Sequence, residues 1–221
     1  MALKEKITER LKKFTFVEES PRLPALQKAS VLIPLFVREE KVYVLLTLRS
    51  VELRHNAGEV CFPGGKSDRN DRDEIHTALR EAEEEIGLPP DGVEVVCRLS
   101  PVLNQRGLLV TPVVGFISES FQACPNPAEV SDVFSVPLDL FLKDVHHSAY
   151  PISNTSTMTH CFNLTDPLTK KVYQIWGLTA ILNILLAVLV FGRKPDFEVE
   201  FNVDKAIVNF QLEFKHRLSK L

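Results

Sequence analysis

Residues 71–88 read Asp71-Arg72-Asp73-Glu74-Ile75-His76-Thr77-Ala78-Leu79-Arg80-Glu81-Ala82-Glu83-Glu84-Glu85-Ile86-Gly87-Leu88. This run carries the start, the faces and the stop of one helix. The pattern predicts a helix from about Arg72 to Ile86. Asp71 reads as its N-cap, with Glu74 three residues on as the partner of a capping box. Gly87 stands where a left-handed residue ends a helix, and Pro89-Pro90 block continuation. At about 100° per residue, Ile75, Leu79, Ala82 and Ile86 share one stripe. Glu81, Glu84 and Glu85 share another, nearly opposite. Their spacing crowds three carboxylates into one patch, where like charges repel by roughly a few tenths of a kcal/mol per exposed pair. Arg80 is the only nearby cation. Hard oxygen donors in such a patch suit Mg²⁺ or Mn²⁺, which take carboxylates together with phosphate oxygens. A solvated acidic face explains the same spacing, and the helix by itself favours that plainer explanation.

The residues before the helix reverse the weighting. Gly64-Gly65 let backbone amides approach an anionic oxygen, and Arg80 offers a forked donor to a carboxylate. Together, Gly65, Arg80-Glu81, Glu84-Glu85 and Gly87-Leu88 resemble the Nudix box, a glycine followed by REUxEExGU, with Ala82 at the aliphatic position. That box is the signature of the Nudix hydrolases, which cleave nucleoside diphosphates linked to another moiety. The front of the box departs from the pattern. The acidic residue six after Gly65 is Asp71, not Glu, and the gap from Asp71 to Arg80 is one residue longer than is common. Asp71 therefore has no assigned role beyond capping.

Upstream runs Leu45-Leu46-Thr47-Leu48-Arg49-Ser50-Val51-Glu52-Leu53-Arg54-His55-Asn56-Ala57-Gly58-Glu59-Val60-Cys61-Phe62-Pro63-Gly64-Gly65. It resembles the motif of the coenzyme A-directed Nudix branch: LLTxRS, three residues, R, three residues, G, three residues, FPGG. Every specified position matches. Arginine offers forked donors for phosphate, and coenzyme A carries a diphosphate and a 3′-phosphate. Spacing alone leaves open whether Arg49 and Arg54 bind phosphate or pair with the acidic helix. The resemblance implies substrate binding by Arg49, Arg54, Gly64 and Gly65. It also implies metal binding by Glu81 and Glu85, with Glu84 as a further ligand or base, and it places Arg80 in the same catalytic set. Mg²⁺ or Mn²⁺ is the implied cofactor. The implied reaction cleaves coenzyme A or acyl-coenzyme A to 3′,5′-ADP and 4′-phosphopantetheine or its acyl form. Glu129 is a weaker candidate for an outside ligand or base, or else a residue that shapes its loop. Asn126-Pro127-Ala128-Glu129-Val130 and Tyr173 to Ala180 extend the likeness. Rival readings are a Nudix hydrolase of NADH, ADP-ribose or capped RNA, with capped RNA also a conceivable secondary substrate. A scaffold that only binds acyl-coenzyme A is a further rival; the intact Glu cluster argues against it.

Around this centre, 30–37 and 42–48 are β-rich runs with Glu39-Glu40-Lys41 as a hairpin turn. A loop is expected from Arg49 to Asn70. Strands are expected near 93–99, 108–117, 132–136, 158–164 and 170–176. The mixture predicts an α/β or α+β mixed sheet with helices against it; the resemblance sharpens this to the Nudix fold, an α/β/α sandwich. The run from Gly177 to Gly192 is shorter than the roughly 20 apolar residues that span a bilayer, so it reads as a buried helix rather than a membrane span. Residues 1–25 read as a helical extension, 26–202 as the hydrolase domain, and 203–221 as a C-terminal helix, with a possible short strand over Phe197 to Phe201. The sequence ends Ser219-Lys220-Leu221. That tripeptide reads as an address for the peroxisomal import receptor, and so for the peroxisome matrix.

Bulk properties exclude little else. A net charge of -3 over 221 residues gives no whole-chain case for nucleic-acid binding. Cys61, Cys97, Cys124 and Cys161 are far apart, which fits reduced thiols better than disulfides or a zinc site. Cys61 has no neighbouring base to mark it as a nucleophile. His146-His147 read as surface or loop residues, and Tyr173 and Trp176 as core aromatics.

Overall fold

The structure, a computed structural model, describes residues 2–16, 26–104, 107–151 and 158–199. The predicted hairpin forms from β1 (Lys28–Arg38) and β2 (Lys41–Arg49), antiparallel, with Arg38 opposite Lys41. Glu39 and Glu40 make the two-residue turn, both at positive φ (50° and 55°). Such turns match the right-handed twist of the strands they join.

The expected loop from Arg49 to Asn70 is not wholly a loop. It contains β3 (Val60–Cys61) and β4 (Gly64–Lys66). β3 pairs with Thr47 and Leu48 of β2, and β4 pairs with residues 29–31 of β1. The outer flank of β2 is taken by β8 (Val130–Pro137), and that of β1 by β7 (Leu109–Phe116), which runs parallel to it. β3 and β4 therefore fill the wedge where β1 and β2 part. On the far edge, β5 (Glu94–Arg98) and the short β6 (Val102–Leu103) pair with β7.

Side chains alternate across this sheet. Leu32, Phe36, Leu45 and Val113 go to one face, where they meet Ala78, Ala82 and Ile86 of α2 (Glu74–Ile86). Ile33, Leu35, Val44, Leu46 and Val114 go to the other. There they meet α1 (Leu3–Lys12) through Ile7 and Leu11, and α3 (Gly177–Phe191). α3 has the bounds expected from its apolar run, and it is buried nearly all round. Each fully buried Leu, Ile or Val in it contributes about 1.5–3 kcal/mol relative to exposure. No described helix is long and apolar enough to cross a membrane. The second face also carries a small antiparallel sheet of β9 (His147–Pro151), β10 (Met158–Thr165) and β11 (Val172–Trp176). The result is a mixed α+β architecture, with α2 on one face of a mixed sheet and α1 and α3 on the other.

Five sequence expectations need correction or restriction. The N-cap of α2 is Asp73, whose carboxylate accepts the His76 N–H at 2.7 Å, not Asp71. Trp176 is not core: it ends β11 facing outward and is 43% exposed, whereas Tyr173 points inward and is buried. His147 is not a surface residue. Its side chain is nearly buried, stacked on Phe197 at 3.6 Å and hydrogen-bonded through Nε2 to Nδ1 of His160 at 2.9 Å. Residues 197–199 form no strand. The proposed helix at 203–218 and Ser219-Lys220-Leu221 lie outside the described residues.

Candidate active site

α2 is held at both ends. Asp73 caps its start. Gly87, at φ 68°, closes its end and donates its N–H to the Glu83 carbonyl. The carbonyls of Glu85 and Ile86 accept the N–H groups of Asn126 and Cys124, both at 2.9 Å. The loop before β8 is thereby hung from the end of α2, and Glu129 is brought to the helix. Ala78 and Ala82 are small, so the helix sits close against β1 and its carboxylates reach the glycine strand.

Asp71, relieved of capping, clamps Arg80. Its carboxylate is buried, accepting Nε of Arg80 at 2.9 Å on one oxygen and Nη2 at 3.0 Å on the other. Thr77 Oγ1 at 2.9 Å and the Asp68 N–H at 2.8 Å donate to it as well, and His76 Nδ1 lies 3.2 Å from Oδ1. The Arg80 guanidinium holds the Asp71 carboxyl well below the usual carboxylate range, and Asp71 in turn raises Arg80. The same guanidinium reaches Glu81 Oε1 at 2.9 Å, Glu84 Oε2 at 3.0 Å and the Lys66 carbonyl at 3.0 Å. One fixed cation thus serves three carboxylates, two of them from the acidic patch.

The three glutamates, adjacent on the helix, occupy different surroundings. Glu85 is 2% exposed and lies under the glycine strand, where the Gly64 N–H donates to its Oε2 at 3.0 Å. Burial pushes its carboxyl up to about 7, opposed by the Gly64 N–H and by Arg49, and reinforced by Glu81 and Glu129. Glu81 is also raised, by burial first, against the pull of Arg80; Glu84 and Glu129 add to the rise. Glu84 is exposed beside Arg80. Among the described residues, no three acidic, His or Cys groups already stand as a coordinating cluster. Arg80 draws Glu81 and Glu84 toward itself, and the Gly64 amide holds Glu85.

Both glycines are required by these contacts. Gly64 has φ 153°, and a Cβ there would run into the Ser30 carbonyl oxygen. A Cβ on Gly65 would run into the Glu81 carboxylate. Arg49, at the end of β2, lies 3.6 Å from Glu85 Oε1, and its buried Nε has no hydrogen-bond partner. Arg54 is exposed in the loop between β2 and β3. Glu129 faces Glu81 and Glu85; its carbonyl accepts the Ser50 N–H at 2.8 Å, and Asn126 reaches its side chain at 3.5 Å. Sequence reasoning missed Thr77 and Asn126, and it missed the Asp71 clamp. The long gap between Asp71 and Arg80 was the available signal: a pair nine residues apart closes across a loop and not along one helix face.

A family model described as the NUDIX domain matches residues 26–154. The chain is 44% identical over 198 residues to the protein named peroxisomal coenzyme A diphosphatase in Mus musculus, covering 88% of this chain and 84% of that one. It is 43% identical over 176 residues to a Nudix hydrolase of Arabidopsis thaliana named as chloroplastic, covering 77% of this chain and 58% of that longer one. A MutT/nudix family protein from Enterococcus faecalis superposes with a TM-score of 0.46 at 17% identity, over 92% of this chain and 82% of that one. The domain match takes in the glycine strand, the Arg80 clamp and all three helix carboxylates, and on that match and these relatives the chain belongs to the Nudix hydrolase family.

Proposed function

We propose that the chain is a coenzyme A diphosphatase. It hydrolyses the diphosphate bond of coenzyme A and acyl-coenzyme A to 3′,5′-ADP and 4′-phosphopantetheine or its acyl form, with Mg²⁺ or Mn²⁺. The observation that carries the reading is the bond from the Gly64 N–H to Glu85. It joins the glycine pair that ends the coenzyme A motif to the carboxylate helix, so substrate recognition and chemistry share one strand–helix contact. The name of the Mus musculus relative supports the same substrate.

The residues fit a divalent cation. Glu129 and neighbouring glutamates raise both Glu81 and Glu85, and Arg80 is already committed to Asp71. Negative charge at this spot exceeds what the side chains around it neutralise. Glu81 and Glu85 would hold the ion, with Glu84 joining once it turns from Arg80 and Glu129 approaching from the loop. When bound, such an ion polarises the phosphoryl oxygens and neutralises the charge that develops on them.

The chain's own groups do the rest. Gly64 and Gly65 let the backbone approach the diphosphate, and Arg49 and Arg54 bind phosphates of the substrate. Arg80, clamped by Asp71, fixes the helix carboxylates in direction. Glu84, with its side chain exposed, serves either as a further ligand or as the base that takes a proton from the water attacking phosphorus. The test is incubation of the protein with coenzyme A, NADH and ADP-ribose in Mg²⁺ or Mn²⁺, with products identified by mass. 4′-Phosphopantetheine as the fastest-formed product is expected; faster cleavage of NADH or ADP-ribose overturns the assignment.

Residues 1–25 serve as an extension, 26–202 as the hydrolase domain and 203–221 as a tail ending in Ser219-Lys220-Leu221. That tripeptide directs the protein to the peroxisome matrix through the import receptor. Deletion of Leu221 from a fluorescent fusion is expected to leave it outside peroxisomes.

A further inference from the structure

We propose that the Ser30 hydroxyl is a positioning group for Glu81, donating to Glu81 Oε2 once that carboxylate turns from Arg80 to a divalent cation. The assignment rests on the cation-dependent part of the reading above.

Ser30 lies in β1 and is fully buried, and its Oγ has no hydrogen-bond partner. An unpaired buried hydroxyl is destabilising, and an alanine would fill the place without that cost. Its direction is fixed by the strands. Ser30 is the cross-strand partner of Gly65 in β4 and of Thr111 in β7. Partners in register point to one face, and alternation along β1 puts Ser30 on the face of Leu32, under α2. Lys28, two residues before, reaches Glu74 in the first turn of α2 at 3.3 Å. Gly65 lies beneath Glu81, two turns on. The stretch of α2 between these contacts carries Thr77 and Ala78, both fully buried, and ends at Glu81.

Two of these three are closed to a new bond. Ala78 has no polar side-chain atom, and Thr77 Oγ1 already donates to Asp71 at 2.9 Å. Glu81 is open. Its Oε1 is on Arg80 at 2.9 Å, whereas Oε2 is the oxygen that a Cβ on Gly65 would strike first. Cross-strand Cβ positions stand about 4.5–5.5 Å apart. The Ser30 hydroxyl therefore sits a side-chain rotation short of Glu81 Oε2. While Arg80 holds the carboxylate, the hydroxyl stays unpaired. When Glu81 turns, the hydroxyl pairs with Oε2 and fixes the direction of the remaining lone pairs, as outer hydrogen bonds do for carboxylate ligands.

The test uses the full chain with Mn²⁺ alone, followed by titration calorimetry and by melting with and without the ion. Ser30→Ala is expected to melt at or above wild type without metal, because it removes an unpaired donor. It is expected to bind Mn²⁺ about tenfold more weakly and to gain less melting temperature from it. On coenzyme A its kcat falls while KM holds. Ser30→Thr, which keeps the hydroxyl, restores most of the affinity. Ser100→Ala removes another unpaired buried hydroxyl, in the turn between β5 and β6, and leaves Mn²⁺ binding unchanged. If Ser30→Ala binds Mn²⁺ as tightly as wild type, or melts well below it without metal, the assignment is overturned and the diphosphatase reading stands. A wild type that binds Mn²⁺ but cleaves NADH or ADP-ribose faster than coenzyme A overturns the diphosphatase reading alone. A wild type that binds no Mn²⁺ overturns both.

Discussion

α2 and α3 lie against opposite faces of one sheet and treat polarity in opposite ways. α3 carries no charged residue, and its buried Asn183 spends its amide on its own Thr179 carbonyl at 2.9 Å. α2 buries a narrow stripe of small residues and keeps Glu81, Glu84 and Glu85 on its remaining surface. One of these, Glu85, is pressed out of water against the glycine strand. The contrast separates two uses of burial. On α3, burial stabilises. On α2, it raises the energy of a charge, which the fold tolerates where an amide, an arginine and a bound cation can share it.

Glu85→Gln should break the comparison most severely. Turnover should fall by a factor on the order of 10³ or more, because the variant loses a charged ligand while its shape is kept. Circular dichroism should be unchanged. The same variant tests the burial argument in metal-free buffer. The folded state raises the Glu85 carboxyl from 4.5 to about 7. Its contribution to stability is thus complete below about pH 4.5 and is lost as pH rises to about 7, at a cost of about 3 kcal/mol. Glu85→Gln should melt above wild type at pH 8, with the gap closing at pH 4.5; parallel melting curves would refute the claim.

Leu186→Ala, in the centre of α3, should show the converse. A fully buried leucine truncated to alanine costs about 2–5 kcal/mol. Urea unfolding should register that loss, while kcat of the folded fraction stays near wild type. A large fall in kcat at full folding would mean that the two faces are coupled.

Asp71→Ala lies between these extremes. It leaves Arg80 without its forked partner, so stability should drop by about 1–3 kcal/mol. Turnover should also drop, because Arg80, no longer clamped, ceases to hold Glu81 and Glu84 in a fixed direction. Asp71→Glu tests whether the clamp requires the shorter side chain.

The smallest expected effect belongs to the second face. Burial lowers His160 from 6.5 to about 4, and the nearby His147 adds to it. The neutral ring's contribution is complete above pH 6.5 and is lost as pH falls toward 4. Stability should decline by about 1–2 kcal/mol between pH 6.5 and 5, and His160→Gln should flatten that decline.

What could be read from the sequence follows the same division. The apolar run of α3 is all-round and bounded by glycines, so its limits are legible. The β1–β2 hairpin and the end of α2 at Gly87 are equally plain, because propensity and turn chemistry agree there. β3 and β4 were illegible. They are two and three residues long, and β4 contains two glycines, whose pairing comes from the wedge they fill. β9, His-Ser-Ala-Tyr-Pro, carries no alternation of its own and is a strand because β10 pairs with it. At the site, helical spacing brought Glu81, Glu84 and Glu85 together correctly, but it could not say that one would be buried. Asp71 and Asp73 both fit a cap by type. The choice was made by Arg80, through a loop whose path no periodicity describes.

The parallel pairing of β1 with β7 has a kinetic consequence. Residues 28–35 meet 109–116, and everything that forms the carboxylate site lies in the chain between, apart from the loop that supplies Glu129. Closing so long a loop is entropically costly before the contacts repay it, and non-local sheets fold slowly for that reason. The site therefore cannot assemble on a partly made sheet, and recovery of activity on refolding should lag helix formation.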